Sequence, residues 1–400
     1  EALDLCVSCK GCKRDCPTGV DMAKMKVEFL HHYKAKHGYT LKDQLVARLP
    51  DYAPWASRLA PLLNLRDKIP GLAALSEKLT GFSARRTLPQ WTTNTFWRQL
   101  NSVRADQNPA HPSPYSVRAE PVEAASAHKT LRQAQGERRV VSASREEVLA
   151  ASKPVVLFVD TFNGYFESEN VFSALKVLQA AGYTAHVATK TIADGKRLCC
   201  GRTYLASGMV DQAKAKAREL VTALLPFAEK GIAIVGLEPS CLLTLRDEML
   251  VMGLGEAAQT ISRHALLLEE FLAREAAAGK LDELKARLKP AAQPILLHGH
   301  CHQKAFGAVS PIIEVLKLIP GAQPELIESS CCGMAGSFGY EASHYELSMQ
   351  MAELSLLPAV RKQPDAIVVA DGTSCRHQIR DGAQREAIHV AVLLARQLPG

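Results

Sequence analysis

The chain has 400 residues, of which 22% are charged and 47% hydrophobic, and its formal net charge is +7. That length suffices for two or three domains with cores of their own, and no run of about twenty apolar residues predicts a membrane span. The basic residues are spread along the chain and are not gathered with aromatic residues into a stripe, which argues against a nucleic-acid-binding protein.

The first predicted element is a cysteine-rich loop, "LCVSCKGCKRDCPTGVD", which holds Cys6, Cys9, Cys12 and Cys16 with Pro17 after the last. This spacing is the bacterial iron–sulfur run, in which three thiols bind one cluster and the fourth ligates another. Cys6, Cys9 and Cys12 therefore need a fourth thiolate, and Cys16 needs three companions. Zinc is the alternative, although four cysteines in one loop suit a structural zinc site poorly.

No cysteine lies between Cys16 and Cys199, so we expect the missing ligands upstream. The chain lacks an initial Met and opens almost inside the motif, and we expect it to be a fragment of a longer protein. All eleven cysteines together, an odd number in clustered spacings, argue against a secreted disulfide framework and for a reducing compartment. After the motif, a helix is predicted with Asp21 as its N-cap and Gly38 at its end.

Two regions of different composition follow. Residues 41–105 are punctuated by Pro and Trp but contain many apolar residues, which predicts short helices and then an extended connector. Residues 106–150 are rich in Pro, Ala, Ser, Gln and Arg and have few large apolar side chains. Such a segment buries too little surface to offset its ordering entropy, so we expect a low-complexity, disordered insert.

The rest of the chain repeats one unit twice. Residues 151–290 contain the strand "KPVVLFVD", a helix, a second strand, a Cys-Cys-Gly loop, a long helix and the strand "IAIVGLEPSC". Residues 291–400 follow the same order, from "QPILLHGHC" to "AIVVADGTSC". Strands that alternate with helices predict an α/β fold with parallel sheets covered by helices.

Both copies place cysteines beyond the carboxyl ends of strands, where parallel sheets bind ligands. The second copy has four such thiols, enough for one ordinary cluster, with buried structural thiols as the alternative. The first copy has three such thiols. They either bind a cluster or remain from the duplication without binding one. These cysteines are Cys301, Cys331, Cys332 and Cys375 in the second copy, and Cys199, Cys200 and Cys241 in the first.

Several polar residues flank these cysteines. His298, His300 and His302 surround Cys301 and are either ligands or, more often for such histidines, groups that orient the ligands. Glu238 either faces the first copy's thiols or has a capping or surface role. No Gly-x-Gly-x-x-Gly follows a strand and no Ser/His/Asp or P-loop motif is present, so the sequence predicts neither dinucleotide binding nor a catalytic residue.

These motifs resemble a known family. Cys-Cys-Gly with an upstream and a downstream strand-end cysteine resembles the cysteine-rich CCG domain of heterodisulfide reductase subunits and of the iron–sulfur subunits of glycolate, lactate and anaerobic glycerol-3-phosphate dehydrogenases. The phrases "DLCVSCKGCKRDCPTGVDMAKMK", "LCCGRTYLASG", "GLEPSCLLTLRDE" and "HGHCHQKA" are similar to the C-terminal part of large FAD-linked oxidases acting on D-2-hydroxy acids, such as D-2-hydroxyglutarate or D-lactate. The resemblance implies a partial 4Fe-4S ferredoxin-type domain over residues 1–40, a degenerate CCG domain over 151–290 and a second CCG domain over 291–400.

The resemblance also implies a function: an oxidoreductase module that relays electrons from flavin through 4Fe-4S clusters to a quinone or another acceptor. The FAD would be bound by an upstream domain or a partner subunit and not by this chain, and the protein would be cytoplasmic or peripheral on the inner face of the cytoplasmic membrane. All eleven cysteines are implied as cluster-binding residues. The stronger metal ligands among them are Cys6, Cys9, Cys12, Cys16, Cys301, Cys331, Cys332 and Cys375.

The chain departs from the CCG pattern, which has an early cysteine and ends in Cys-x-x-Cys. The first copy has Thr161 and Asn163 near the early position and "LLT" after Cys241, and the second has Gln378 at its last position. The clusters of heterodisulfide reductase need more thiolates than either copy has. A heterodisulfide-reductase-like catalytic subunit is therefore the second hypothesis, and a zinc-stabilised binding module is the third.

Overall fold

The computed structural model describes residues 3–106, 149–189 and 197–399. The insert predicted over residues 106–150 lies, apart from its two ends, outside these ranges. Among the described residues, no helix combines the length and the apolar character that crossing a membrane requires.

The cysteine loop and the segment behind it are helical. A short helix, Gly11–Asp15, lies inside the loop, and the predicted helix after it spans Met22–His37. Asp21 caps this helix because its Oδ1 accepts the backbone N–H of Lys24 at 3.1 Å. Gly38 follows the last residue with a φ of 85°. Both predicted ends are confirmed.

Short helices then lead to the first sheet. They span Leu41–Ala47, Leu49–Ala56, Ala60–Leu63, Leu72–Thr80 and Phe96–Asp106, with 3-10 turns at Ser57–Leu59 and Asn64–Asp67. The prediction of an extended connector holds only as far as Thr95, because the chain from Phe96 onward is helical. Phe96, Trp97 and Leu100 are buried in the core shared with the first sheet, so packing decides the conformation there.

The repeated units form two four-stranded parallel sheets of the same topology. The first sheet contains β1 (Pro154–Phe158), β2 (Thr184–Val187), β3 (Ala233–Gly236) and β4 (Ala265–Leu267), in the order β2-β1-β3-β4. The second contains β5 (Ile295–His298), β6 (Pro324–Leu326), β7 (Ile367–Ala370) and β8 (Ala387–Ile388), in the order β6-β5-β7-β8. The predicted α/β architecture with parallel sheets is confirmed.

Helices cover both sheets. Those of the first copy are Thr161–Tyr165, Ser168–Ala180, Arg202–Ala206, Val210–Ala228, Pro239–Leu242, Gly255–His264, Leu268–Ala277 and Asp282–Arg287, with 3-10 turns Leu243–Arg246 and Glu248–Val251. Those of the second are Cys301–Ala305, Ser310–Leu316, Tyr345–Glu353, Leu356–Lys362, Thr373–Ala383 and Val390–Gln397, with 3-10 turns Phe338–Tyr340 and Ala342–His344.

Two predicted strands end earlier than the sequence pattern indicated. The strands expected to end at Cys241 and Cys375 stop at Gly236 and Ala370, and both cysteines lie in the first turn of the next helix. In the first copy Glu238 ends the extended backbone, since its carboxylate accepts the N–H of Ser240 at 3.4 Å and caps that helix. The correction keeps both thiols beyond the carboxyl edge of a sheet.

The two copies share one hydrophobic core. The helix Ser168–Ala180 of the first copy packs against Val390–Gln397 of the second, and Leu268–Ala277 packs against Ser310–Leu316. Because apolar faces of both units are buried in this contact, the copies form one body.

Polar contacts join the two sheets at their carboxyl ends. The Oε2 atom of Glu238, just beyond β3, accepts the backbone N–H of Thr373, just beyond β7, at 2.9 Å. The His389 ring lies 3.1 Å from the carbonyl oxygen of Leu237. Glu238 therefore caps a helix and also joins the copies, and the two cysteine-bearing edges face each other.

Candidate functional site

The four cysteines of the second copy form a row of neighbouring thiols. Cys301 begins the helix after β5, Cys331 and Cys332 lie in the loop after β6, and Cys375 is the third residue of the helix after β7. The Cys331 thiol contacts those of Cys301 and Cys332, and the Cys332 and Cys375 sulfurs are 3.5 Å apart. The fold thus brings together four thiols that are far apart in sequence.

Glycine conformation holds the Cys-Cys pair of each copy in the same way. Gly333 has a φ of 86° and its N–H donates to Cys331 Sγ at 3.3 Å. Gly201 has a φ of 82° and its N–H donates to Cys199 Sγ at 3.3 Å. Glycine adopts this left-handed backbone without a steric penalty, and the turn directs an amide at the sulfur.

The charge in the thiol row is unevenly distributed. Hydrogen bonds from Cys331 and then Cys375 hold the pKa of the Cys332 thiol well below its ordinary value. The pKa of Cys375 is raised because its thiol donates to Cys332 and because it is buried. A hydrogen bond from Cys331 lowers the pKa of Cys301 as well. Thiolates are the form that binds metals, so the row is prepared for ligation at Cys332 and Cys301.

His298, the last residue of β5, lies beside the row. One of its ring nitrogens, Cys332 Sγ and Cys375 Sγ all lie within 4.8 Å of one another. Its Nδ1 is 3.0 Å from Ser329 Oγ, and its Nε2 has no nitrogen or oxygen partner in the part of the chain that the structure describes. Burial lowers the pKa of the ring, which favours the neutral imidazole that coordinates metals.

The N-terminal cysteine loop docks directly on the second copy. The helix Gly11–Asp15 packs against Cys301–Ala305, and His302 Nε2 lies 3.1 Å from the carbonyl oxygen of Ser8. Lys13 places its ammonium 4.9 Å from the centre of the Phe306 ring. Two groups of thiols predicted as separate sites are therefore neighbours.

Cys9 is the member of the loop that faces the second copy. Burial raises the pKa of its thiol, and the thiols of Cys301, Cys12 and Cys6 raise it further. The sequence predicts the missing fourth thiolate upstream, and Cys301 is a further thiol whose charge acts on this group. Cys16 is partly exposed, and its sulfur contacts Thr18 Oγ1 at 3.1 Å.

A buried ionic cluster fixes the loop in place. Lys10 is 1% exposed, and its ammonium lies 2.6 Å from Asp247, 2.9 Å from Glu248 and 3.3 Å from Asp21. Arg202, in the first copy, also pairs with Glu248. The sequence analysis missed this cluster, because no motif relates a lysine between the cysteines to two acidic residues more than 200 positions away.

Replacing Asp247 with Asn should loosen the loop and lower the free energy of unfolding by about 2 kcal/mol, the value of hydrogen bonds to charged groups. Burial alone would raise the pKa of Asp247, but hydrogen bonds from Lys10, Lys13 and Lys24 lower it well below its ordinary value. Hydrogen exchange of residues 6–16 measures the loosening. Asp282→Asn, which alters an exposed i,i+3 pair with Lys285, is the matched control, and equal exchange in both variants would contradict the prediction.

The first copy gathers its three cysteines in the same way but surrounds them differently. The Cys200 thiol contacts those of Cys199 and Cys241. The hydrogen bond from Cys200 lowers the pKa of Cys241, but burial and the nearby Asp160, Glu238 and Cys199 together raise it to about 12. Phe158 ends β1 where His298 ends β5, and Thr161 begins the next helix where the second copy has Cys301. The first copy therefore offers fewer atoms that can bind a metal than the second copy does.

The thiol groups of the two copies approach each other across Arg202. Burial alone would lower the pKa of this guanidinium, but Glu248 and the thiols of Cys200, Cys301 and Cys241 raise it. One buried cation is thus near cysteines of both copies. Such a cation favours negative charge on either group of thiols.

The fold and these sites define a class of protein: two α/β cysteine-rich units joined at their carboxyl edges, with an iron–sulfur motif loop docked on the second. The family model of the cysteine-rich domain CCG matches residues 173–246 and 296–380. The chain therefore contains two CCG domains, and the resemblance predicted from the sequence is confirmed.

Curated proteins similar to this chain are dehydrogenases or components of one. The chain is 26% identical over 382 residues to the D-2-hydroxyglutarate dehydrogenase of Escherichia coli (strain K12), covering 95% of this chain and 33% of that protein. It is 26% identical over 392 residues to the enzyme of the same name from Pseudomonas putida, covering 97% and 33%. It is 26% identical over 341 residues to one of the subunits of the anaerobic glycerol-3-phosphate dehydrogenase of Escherichia coli (strain K12), covering 85% and 72%. The chain thus spans about a third of the length of the D-2-hydroxyglutarate dehydrogenases it matches.

Proposed function

We propose that this chain is the iron–sulfur electron-transfer module of an FAD-linked dehydrogenase that oxidises a D-2-hydroxy acid. The observation that carries the proposal is the docking of the motif loop on the second CCG domain, with Cys9 beside Cys301. In an electron relay the redox sites lie close together, and this contact would bring a cluster at the loop near a cluster at the second domain. The names of the relatives support the reaction class.

The donor sets fit iron–sulfur clusters. Three thiols of the loop and four of the second CCG domain would serve as ligands, and a cluster bound there supplies one-electron transfer. Those residues are Cys6, Cys9 and Cys12, and Cys301, Cys331, Cys332 and Cys375. Cys16 and the three cysteines of the first copy, Cys199, Cys200 and Cys241, are proposed as further cluster-binding residues.

The chain itself would tune the site through burial and hydrogen bonding. Cys331, Cys332 and Cys375 are each no more than 4% exposed, so water has little access to their sulfurs. The N–H of Gly333 donates to one of these sulfurs, and hydrogen bonds to sulfur and low solvent exposure are two of the factors by which a protein sets a cluster potential. The Lys10–Asp247 pair holds the loop against the domain.

The remaining parts of the proposal concern partners. The FAD would belong to another domain or subunit, and the acceptor would be a quinone or another one-electron acceptor. The module would act in the cytoplasm or on the inner face of the cytoplasmic membrane. Gln378 stands where a CCG domain has its last cysteine, and its amide donates to the Ser348 carbonyl at 3.0 Å. That position is used for structure, which disfavours disulfide-reductase chemistry.

Anaerobic purification and reconstitution test the proposal. We expect iron and sulfide to bind in the wild-type chain, with an EPR signal on reduction. Cys332→Ser should remove the part of that signal that belongs to the second domain, because Cys332 contacts both Cys331 and Cys375 and its thiol has a strongly lowered pKa. Cys200→Ser tests in the same way, by iron content and EPR, whether the first domain binds a cluster. Zinc in place of iron, or iron content and EPR unaffected by Cys332→Ser, would contradict the proposal.

A further inference from the structure

We infer that His298 is a direct ligand, through Nε2, of the iron–sulfur cluster at the second CCG domain, together with Cys332 and Cys375. The inference rests on the proposed function for the presence of a cluster. It adds a nitrogen ligand to a site whose motif consists only of cysteines. The mixed nitrogen and sulfur donor set follows from where β5 ends.

The first observation is an unpaired polar atom in the core. His298 is 1% exposed, and among the described residues its Nε2 has no nitrogen or oxygen partner. The polar group that acts on the ring there is the Cys332 thiol. Leaving such a group without a partner destabilises the folded state, and native structures rarely do so without a reason. Coordination of a metal by Nε2 would satisfy the atom.

The second observation is the position of the ring. One His298 ring nitrogen and the sulfurs of Cys332 and Cys375 all lie within 4.8 Å of one another. Cys301 stands at the opposite end of the thiol row, where it contacts Cys331 and faces Cys9 of the motif loop. A four-iron cluster uses four protein ligands. With His298 as the fourth ligand beside Cys331, Cys332 and Cys375, Cys301 is the thiol of the second domain that is left to bind with the motif loop.

The third observation is the support behind the ring. His298 Nδ1 is 3.0 Å from Ser329 Oγ, and Lys304 Nζ also donates to that oxygen at 3.1 Å. With Nδ1–H donating to Ser329, the lone pair of Nε2 is free for a metal. Histidine ligands commonly donate their second ring nitrogen in this way, which fixes the tautomer and the ring orientation.

The fourth observation is internal to the chain. The first copy has the same topology and the same Cys-Cys-Gly turn, yet Phe158 occupies the place of His298 and is 1% exposed. An apolar ring fits there without any partner. The duplicated fold therefore does not require a histidine at this position. Packing does not account for the histidine of the second copy, whereas metal binding does.

The test is pulsed EPR of the reduced, reconstituted full-length chain. The second-domain signal is defined as the difference between the wild type and Cys332→Ser. We expect a strongly coupled ¹⁴N nucleus in that signal, and we expect His298→Phe, which copies the first domain, to abolish the coupling. His298→Cys should restore a cluster without ¹⁴N coupling and with a lower reduction potential, since histidine ligation raises potentials relative to thiolate.

The control is His302→Gln. His302 follows Cys301 directly in the chain, but its Nε2 is already engaged by the Ser8 carbonyl, so the ¹⁴N coupling should survive. A second-domain signal without ¹⁴N coupling, or coupling that persists in His298→Phe, would overturn the inference and leave the electron-transfer proposal intact. A wild-type chain whose iron content and signal do not depend on Cys332 would overturn both.

Discussion

Replacing Gly333 with Ala should lower the free energy of unfolding by about 4 kcal/mol and abolish cluster binding at the second CCG domain. A Cβ atom built on Gly333 would lie 2.3 Å from the backbone oxygen of Ser348, which belongs to a helix and cannot move aside alone. The φ of 86° adds the cost of a left-handed conformation, about 1–2 kcal/mol. The overpacking adds about 1–3 kcal/mol.

Gly336→Ala separates the two causes. Gly336 has a φ of 67° but no atom within 4 Å of its built Cβ, so only the backbone cost of about 1–2 kcal/mol applies. Gly201→Ala is intermediate, because the nearest atom, the Ala213 carbonyl oxygen, is 3.0 Å away. Denaturant unfolding and iron content measure all three variants. Equal losses for Gly333→Ala and Gly336→Ala would show that the contact with Ser348 does not matter.

The sequence predicted the repeated architecture because the duplicated strands are short, apolar and followed by Gly or Cys motifs. It did not predict β4 and β8, which have three and two residues and no pattern of their own. It extended the strands at Cys241 and Cys375 too far. A Glu-Pro step and a Gly-Thr step begin helices at those points, and the local capping that starts them competes with a continuous apolar run.

The cysteine ligands could be predicted from spacing, whereas the role of each nearby histidine could not. His298, His300 and His302 flank Cys301 at alternating positions and are indistinguishable in one sequence. The structure gives each a different environment. His300 Nδ1 accepts the N–H of His302 as a helix cap, and His302 Nε2 contacts the carbonyl of Ser8. Among these three, in the described structure, only His298 has a fully buried ring nitrogen without a nitrogen or oxygen partner.

The docking of the motif loop on the second domain could not be predicted from the sequence either. It depends on a lysine between the cysteines, Lys10, meeting Asp247 and Glu248 after two sheets have assembled. Ser8 and Lys10 have φ values of 53° and 61°, a conformation that non-glycine residues seldom adopt. The tertiary contacts therefore stabilise a loop geometry that local preference would not select.

Replacing Glu167 with Ala should lower the free energy of unfolding by about 3 kcal/mol, because it leaves a buried guanidinium unpaired across the contact between the two domains. Arg376 is 6% exposed, and its Nε lies 3.0 Å from Glu167 Oε1. The same guanidinium also donates to the carbonyls of Ala370 and Asp371 at 2.7 Å. Once Glu167 is removed, the Arg376 guanidinium cannot turn to solvent without breaking those hydrogen bonds, which lie just beyond β7.

The control and the pH dependence follow from the same pair. Glu353→Ala removes an exposed partner of Arg361 and should cost less than about 1 kcal/mol. Burial alone would raise the pKa of Glu167, but Arg376 lowers it to about 2, below the value of about 4.3 in an unfolded chain. A depressed folded pKa stabilises above the unfolded pKa, so this contribution should disappear as the pH falls from about 5 to about 2. Unfolding of the wild type and of Glu167→Ala across that range should therefore converge at low pH. Curves that remain parallel would show that the ion pair does not link the two domains energetically.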